Sequence, residues 1–410
     1  MKSAVAAVTA AFTMISIASA TAATNPEAVG LSRERLERID AMIERRIAAG
    51  DITGAVTIVA RRGTVAHLST HGVTDLETRQ PMRSDTLFRI ASMTKPIVGV
   101  GILMMVEENK LRLTDPVSRY IPEFGKLRVA VAGAASGSSA SGPELVAPQR
   151  EVTIKDLLTH VSGLGSGPMS NASIEAVARR EGEKLADYIP RLGGTALEFE
   201  PGTRWAYSPG AGFETLGRVL EIVSGQPLDE FFAQHIFAPL GMRDITFWPS
   251  DSQWPRVATV YRREESGLVK QTLPNDNFSR NVYFRGSGGL YSTAESYVPF
   301  GIMLANGGEL RGVRLLSRKS VEMLGAVHVP DTLPGRAAGE GFGLSVRVVT
   351  DHAARGTLLS DGTYGWSGAQ GTHFFVDPQE QLVGVLMIQT PNVTEIRGDF
   401  ENLVAQAIID

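Results

Sequence analysis

The stretch RIASMTKPIVGVGILMMVEE, from Arg89 to Glu108, places a serine and a lysine three residues apart at the start of an otherwise apolar segment. Residues three apart share one face of a helix, so the Lys95 amine can reach the Ser92 hydroxyl. A serine hydroxyl becomes a strong nucleophile only when a base takes its proton, and apolar surroundings favour the neutral, basic form of a lysine. The helix N-terminus would also stabilise negative charge that develops near Ser92. The pair is therefore a candidate catalytic unit.

The same stretch fits a simpler interpretation, in which Ser92 only caps the helix. Ser-x-x-Lys is common by chance, so the stretch does not decide between the two interpretations by itself. Proline has no N–H to donate and is tolerated in the first helical turn, so Pro96 predicts that the helix begins at Ser92 or Met93.

Composition is typical of a globular protein and excludes several classes of site. The chain has 410 residues, of which 43% are hydrophobic and 20% are charged, so it can bury a large core or two packed subdomains. A net charge of -4 without any basic run argues against nucleic-acid binding. The absence of cysteine excludes disulfides, thiol nucleophiles and cysteine metal sites.

The N-terminal segment MKSAVAAVTAAFTMISIASATAA is typical of a secretory signal peptide. Lys2 precedes an apolar run, and small residues at 18–20 and 20–22 offer cleavage sites. The alternative is a membrane anchor, but the run is short and is interrupted by Thr and Ser. We expect residues 1–22 to be removed, the protein to be exported to the bacterial periplasm, and no membrane span to remain.

Hydrophobic periodicity predicts strands at both ends of the chain. An amphipathic helix is expected over Leu31–Ile47, followed by a hairpin of Gly54–Ala60 and Thr64–Thr70. Late strands are expected at Phe342–Thr350, Thr372–Asp377 and Gln381–Thr390, before a closing helix near Asp399. Short turns between the late strands predict an antiparallel sheet built from both ends of the chain.

The middle of the chain has mostly helical periodicity. Gly212–Met242 predicts two helices that are separated near Gly225 and Pro227. Low-complexity residues Gly133–Pro143 are expected to form a surface loop.

Two further segments could contribute chemistry. Tyr207 lies in GTRWAYSPGAGFETLG, before a helix, and a tyrosine can relay a proton if cations lower its pKa. The segment YGWSGAQGTHFFVD places a glycine-rich turn beside a strand, where backbone N–H groups could bind an oxyanion. Taken singly, the first also fits a buried aromatic that braces a turn, and the second an ordinary hairpin.

Together and in this order, the segments resemble the serine β-lactamase and penicillin-binding-protein superfamily. The likeness is closest to class C β-lactamase-like enzymes and their esterases, the family VIII carboxylesterases, and it spans about residues 31–410. The motifs that carry it are FRIASMTKP, TIKDLLTHVSGL, YSPGAGFETLGRVLEIVSGQPLDEF, PLGM, SGGLYST and GWSGAQGTHFFVDP.

The resemblance implies an α/β (α+β) fold of the β-lactamase/transpeptidase type, with an antiparallel sheet flanked by helices and a mainly helical domain. The sheet domain would comprise residues 23–110 and 310–410, and the helical domain residues 111–309. The cleft would lie at their junction. No cofactor or metal is implied, the expected partner is a small-molecule ester, and the oligomeric state is left open.

The resemblance also implies roles for individual residues. Ser92 would be the acyl-forming nucleophile, and Lys95 and Tyr207 would share the work of general base. The N–H groups of Ser92 and Ala369 would bind the oxyanion. Substrate would lie along Trp366-Ser367-Gly368.

Two departures from the lactamase pattern bear on the substrate. Class C β-lactamases have Tyr-x-Asn where this chain has Tyr207-Ser208-Pro209, so an amide side chain is missing. They have Lys-Thr-Gly where this chain has Trp366-Ser367-Gly368, so the lysine that binds a substrate carboxylate is missing. Both departures favour a carboxylesterase for small, neutral esters. A β-lactamase or D-aminoacyl peptidase is the first alternative, and a non-catalytic cell-wall-associated binding protein is the second.

The sequence gives less support to other catalytic motifs. No Gly-x-Ser-x-Gly elbow occurs, and the histidines form no zinc motif. His160 is expected to make a local hydrogen bond, although the sequence also leaves a Ser-His-Asp triad open. Ser287-Gly288-Gly289 is expected to border the cleft, where Arg285 could meet an acidic group. The histidines are His67, His71, His160, His235, His328, His352 and His373.

Overall fold

The fold is described from a computed structural model over residues 25–131, 144–272 and 282–410. The predicted signal segment 1–22 and the predicted loop Gly133–Pro143 lie outside these ranges. Within them, no helix is both long and apolar enough to cross a membrane. The α-helices are α1 Arg33–Ala48, α2 Thr94–Glu107, α3 Ile154–Leu158, α4 Pro168–Glu175, α5 Leu185–Leu192, α6 Ala211–Ser224, α7 Leu228–Phe232, α8 Ala238–Leu240, α9 Ala294–Ala305, α10 Arg318–Gly325, α11 His352–Arg355 and α12 Thr394–Ala405.

Seven strands form one antiparallel sheet with the order β13-β14-β15-β16-β17-β1-β2. Its members are β1 Gly54–Arg61, β2 Thr64–Gly72, β13 Glu340–Phe342, β14 Arg347–Val349, β15 Tyr364–Ser367, β16 His373–Asp377 and β17 Leu382–Met387. The shorter strands are β3 Phe88–Arg89, β4 Arg128–Val131, β5 Glu144–Val146, β6 Ala196–Leu197, β7 Ile245–Thr246, β8 Tyr261–Glu264, β9 Gly267–Lys270, β10 Tyr291–Ser292, β11 Glu309–Leu310 and β12 Val313–Arg314.

The sheet joins the two ends of the chain through β1 and β17. Val56 pairs with Met387 and Ile58 with Val385. The antiparallel sheet flanked by helices is therefore confirmed. The domain boundaries near residues 110 and 310 stay a prediction.

Both faces of the sheet are covered, because successive residues of a strand point to opposite faces. Val56 and Ile58 of β1 pack into the core that contains α2 and α9. Ala55 and Val59, on the other face, pack into the core that contains α1 and α12. This arrangement places α2, which carries Lys95, inside the protein.

Two predicted elements were wrong in detail. Phe342–Thr350 was expected to be one strand, but the chain reverses between β13 and β14. Ser345 has a left-handed φ of 70°, and Gly343 N donates to Val346 O at 2.8 Å. Leu344 and Val346 on this turn are fully buried, so apolar residues continue through it and mask the turn residues Gly343 and Ser345. The closing helix begins at Thr394 rather than near Asp399. Its first turn is mostly polar, so the apolar periodicity does not show where the helix starts.

Candidate active site

Ser92 lies in a short 3-10 turn, Ala91–Met93, that leads into α2. Ala91 has a left-handed φ of 45°, which is strained for a residue with a side chain. The helix begins at Thr94, later than predicted, and Ser92 is not its N-cap. The capping interpretation of Ser92 is therefore wrong. The Ser92 side chain is partly exposed.

Lys95 is fully buried directly behind Ser92. Its Nζ lies 3.3 Å from Ser92 Oγ, and it donates to the carbonyl oxygens of Pro209 at 2.9 Å and Ser287 at 2.7 Å. Burial lowers the pKa of Lys95 to about 7, with Glu214 acting in the opposite direction and Arg285 in the same direction. A large fraction of this amine is therefore neutral at physiological pH.

Tyr207 completes a cluster with Ser92 and Lys95. Its hydroxyl donates to Ser92 Oγ at 2.7 Å, and Lys95 Nζ lies 5.1 Å from the centre of its ring. Burial raises the pKa of Tyr207, and the contact with Ser92 offsets part of this rise. Cations do not lower this pKa as the sequence allowed, and the phenol stays protonated.

His160 supports the tyrosine segment. Its Nδ1 accepts a hydrogen bond from Ser208 N at 3.2 Å, so the bond expected of His160 is made to the tyrosine segment, 48 residues along the chain, rather than locally. Its ring centre lies 4.7 Å from that of Tyr207. Burial lowers the pKa of His160 well below its ordinary value, and its Nε2 has no partner among the described residues. Among the described residues no hydrogen bond joins His160 to Ser92, so the Ser-His-Asp arrangement left open by the sequence is not formed there.

Glu214 is a further member of the site that sequence reasoning missed. This buried carboxylate on α6 accepts hydrogen bonds from Ser287 Oγ at 2.9 Å and from the Tyr283 hydroxyl. Arg285 Nε lies 3.6 Å away. Because Ser287 O in turn accepts from Lys95, Glu214 fixes the loop that holds the amine. An acidic residue on the otherwise apolar face of the helix after Tyr207 was the available signal.

The Trp366-Ser367-Gly368 segment lies against the Ser92 turn. Gly368 packs so closely on Ile90 that an added Cβ would lie 2.4 Å from the Ile90 carbonyl oxygen. The Thr372 hydroxyl donates to the same oxygen at 3.1 Å. Ala369 is exposed on the following turn, and its N–H has no acceptor in the part of the chain that the structure describes.

Aromatic side chains surround the Ser92 cluster. The Trp366 ring centre lies 5.5 Å from that of Tyr207 and 5.2 Å from that of Phe342. The Trp205 ring is tilted against Phe342 with the ring centres 5.7 Å apart, and Arg336 lies 4.4 Å from the centre of the Trp205 ring. The site thus combines an activated hydroxyl with an apolar wall. The structure brings Ser92, Lys95 and Tyr207 into contact and places the Trp366 turn next to them.

Comparisons with known proteins identify the family of the chain. Esterase EstB of Burkholderia gladioli is 32% identical over 396 residues, which cover 90% of this chain and 94% of EstB. A putative D-alanyl-D-alanine carboxypeptidase of Escherichia coli strain K12 is 25% identical, covering 90% of this chain and 85% of that protein. The solved structure of EstCE1, described as a hydrolase with promiscuous acyltransferase activity, superposes with a TM-score of 0.77 at 27% identity, covering 92% of this chain and 99% of EstCE1. The Beta-lactamase family model matches residues 39–407. The chain belongs to the β-lactamase family, in the superfamily of β-lactamase-like serine hydrolases.

Proposed function

We propose that the protein is a serine carboxylesterase that hydrolyses small, largely neutral esters through an acyl-enzyme on Ser92. One observation carries this proposal: Ser92 Oγ lies 3.3 Å from a fully buried lysine amine and 2.7 Å from the Tyr207 hydroxyl. The 32% identity to an esterase supports it.

Lys95 acts as the general base. A neutral amine has two N–H groups and one lone pair, and the structure offers it two carbonyl acceptors, Pro209 O and Ser287 O. With both N–H groups engaged, the lone pair faces Ser92 Oγ and takes the hydroxyl proton as the oxygen attacks the ester carbonyl.

Tyr207 acts as a proton donor. Because its phenol stays protonated, it can hydrogen-bond Ser92 Oγ in the resting state and give its proton to the departing alcohol oxygen. The cycle balances when the proton that Lys95 took in the first step returns to the tyrosine oxygen, since both groups border Ser92 Oγ. The same pair then activates the water that hydrolyses the acyl-enzyme.

The N–H groups of Ser92 and Ala369 form the proposed oxyanion hole. The unengaged N–H of Ala369, on a turn anchored to Ile90 through Gly368 and Thr372, supports this assignment. Donors that are fixed before the reaction stabilise the tetrahedral oxyanion without reorganising.

The substrate preference follows from the cleft wall. Trp366 occupies the place where the lactamases carry a lysine, so the site presents an apolar ring instead of a cation. Pro209 replaces their amide residue, and its carbonyl is occupied by Lys95. A neutral ester leaves fewer polar groups unpaired in such a cleft than an anionic peptide or β-lactam does.

Matched assays test the proposal. We expect p-nitrophenyl butyrate to be hydrolysed with a higher kcat/KM than nitrocefin or D-alanyl peptides, and Ser92→Ala to abolish this turnover. Faster amide than ester turnover would favour the peptidase alternative, which the E. coli relative supports. No turnover of any of these substrates by the wild-type protein would favour the non-catalytic alternative.

A further inference from the structure

One residue, His160, is bonded to the chain on both sides of Tyr207. Its carbonyl oxygen accepts a hydrogen bond from Ala206 N at 3.1 Å, and its ring Nδ1 accepts one from Ser208 N at 3.2 Å. The His160 ring also packs against the tyrosine ring, with the ring centres 4.7 Å apart. Residues 204–208 belong to no helix or strand, so individual contacts of this kind determine where the Tyr207 side chain lies.

The backbone of His160 allows this double contact. Its φ of 57° is left-handed, a conformation that costs energy for a residue with a side chain and that His and Asn adopt more often than most residues do. The residue is 1% exposed, and the next carbonyl oxygen, that of Val161, accepts from Gly202 N at 2.8 Å. The turn thus presents both a carbonyl group and a ring nitrogen to the tyrosine segment.

The bond from Ser208 N determines which ring nitrogen carries the hydrogen. A backbone N–H can only donate, so Nδ1 has no hydrogen and the single N–H of the ring is on Nε2. An imidazolium would carry hydrogen on both nitrogens and would lose this bond. The ring is enclosed by aromatic side chains, with Phe213 and Phe342 each 5.3 Å away between ring centres. Burial, and then the charge of Lys95, lower the pKa of His160, which agrees with a neutral ring.

The segment that His160 holds carries two groups that touch the reactive side chains. The Tyr207 hydroxyl donates to Ser92 Oγ at 2.7 Å, and two residues further on the carbonyl oxygen of Pro209 accepts from Lys95 Nζ at 2.9 Å. Among the described residues no hydrogen bond joins His160 itself to Ser92 or Lys95. A shift of the segment would therefore change both contacts at once.

We propose that His160 is a positioning residue for the reaction: its Nδ1 acceptor holds the tyrosine segment so that the Tyr207 hydroxyl reaches Ser92 and the Pro209 carbonyl reaches Lys95. This inference rests on the proposed esterase function of Ser92. His160 acts on the reaction only through Tyr207 and Pro209, so it is not itself a catalytic residue.

Three substitutions separate the acceptor from the shape of the residue. His160→Asn keeps an acceptor on Cγ, where Nδ1 is attached, and tolerates the left-handed φ. His160→Gly tolerates that φ but has no acceptor. His160→Gln fills more of the space, but its side-chain oxygen is one atom further out, nearer to the place of Nε2. We expect kcat for p-nitrophenyl butyrate to stay within about tenfold of the wild type in His160→Asn, and to fall by about 100-fold or more in the other two.

Two butyrate esters show whether the loss passes through Tyr207. p-Nitrophenolate leaves without a proton, whereas the alkoxide of propyl butyrate must be protonated as it leaves, which is the step proposed for Tyr207. We expect His160→Gly and His160→Gln to lower kcat/KM for propyl butyrate at least about tenfold more than for p-nitrophenyl butyrate. A general loss of packing would lower both values by the same factor.

The order of the variants can overturn the inference. Equal kcat in His160→Asn and His160→Gly, or equal losses for the two esters, would do so and leave the esterase function standing. If His160→Gly does not fold, the other two variants decide: a residue that only fills space predicts more activity in His160→Gln than in His160→Asn, and the acceptor role predicts the reverse. Absence of ester hydrolysis by the wild-type protein would instead refute the proposed function.

A second measurement needs no substrate. Imidazole nitrogen NMR shows which ring nitrogen carries hydrogen, and the His160 signals are those that disappear in His160→Asn. We expect hydrogen on Nε2 and none on Nδ1 in the wild-type protein. Hydrogen on Nδ1 would leave Ser208 N without its acceptor and would overturn the proposal.

Discussion

At the scale of single residues, the buried amine of Lys95 determines when Ser92 can react. A base with a pKa of about 7 is active in its deprotonated form, so activity should be present above that pH and lost as the pH falls through it. We expect kcat/KM for p-nitrophenyl butyrate to follow a single acid limb with a midpoint near 7. A midpoint near 10 would mean that the amine keeps its ordinary pKa, which would contradict this role.

A second prediction for a single residue concerns the effect of the Glu214 charge on the pH profile. Its charge raises the pKa of Lys95, and its carboxylate holds Ser287, whose carbonyl binds the amine. Glu214→Gln keeps the shape and removes the charge, so the acid limb of the pH profile should move to lower pH. The shift would be read from the same kcat/KM profile. A variant that loses activity at every pH without moving the limb would show a structural role only.

Tyr207→Phe removes the proton donor and keeps the ring. Positioned acid–base groups contribute about 10²- to 10⁴-fold, so we expect kcat to fall by at least about 100-fold. KM should change little, because the aromatic contact with Trp366 remains. Near-normal kcat in this variant would exclude Tyr207 from proton transfer.

Residue spacing predicted part of this site. The separation of Ser92 and Lys95 made them a candidate pair, and only the resemblance carried by the combined segments implied roles for them and for Tyr207. Glu214 and Ser287 come together only through the tertiary fold, since 73 residues separate them. The acidic residue on an apolar helix face marks Glu214, but a local pattern contains no signal for its partner.

At the scale of elements, Gly368 sets the distance between β15 and the Ser92 turn. A methyl group there would lie 2.2 Å from Thr372 Oγ1 and 2.4 Å from Ile90 O, so Gly368→Ala must push the strand away. A displacement of about 1 Å at a catalytic site can cost about 100-fold in rate. We expect a loss of that order in kcat/KM, measured with p-nitrophenyl butyrate.

Gly398 is the matched control for that variant. It is exposed within α12, and an added Cβ would contact nothing within 4 Å. Gly398→Ala should leave kcat/KM unchanged and stabilise the helix by roughly 0.5–1 kcal/mol. An equal loss of activity in both variants would indicate a general response to glycine substitution rather than a specific clash.

Helices and strands whose apolar residues recur at regular spacing were predicted well, whereas local departures from regular backbone structure were not. The β1–β2 hairpin and α1 follow directly from the alternation and helical spacing of their apolar residues. The turn at Ser345 was missed because buried apolar residues continue through it. The left-handed Ala91 before Ser92 was missed because alanine has no preference for that conformation, which the surrounding structure imposes.

At the scale of the whole molecule, Arg61 ties both ends of the described chain to the sheet. Its side chain is 3% exposed and binds Asp410, Glu380 and the carbonyl oxygen of Gly30. Arg61→Ala should lower the free energy of unfolding by about 3 kcal/mol, the low end for a broken buried pair, because the two acids can be hydrated after its loss. Urea unfolding measures this change.

Arg62 is the neighbouring control. It also pairs with Asp410, at 2.8 Å, but its side chain is 46% exposed. Exposed pairs contribute little, so Arg62→Ala should cost less than about 1 kcal/mol. Equal destabilisation by the two variants would contradict the role assigned to the buried guanidinium. The joining of the chain ends in one sheet was predicted from the late strands, whereas this contact between Arg61 and the last residue was not.

The nucleophile is the central claim, and covalent labelling tests it most directly. The protein would be treated with a fluorophosphonate ester, digested, and the modified peptide located by mass spectrometry. We expect one phosphonyl group per chain, on Ser92, and no labelling of Ser92→Ala. A label on another residue, or ester hydrolysis that persists in Ser92→Ala, would contradict the account.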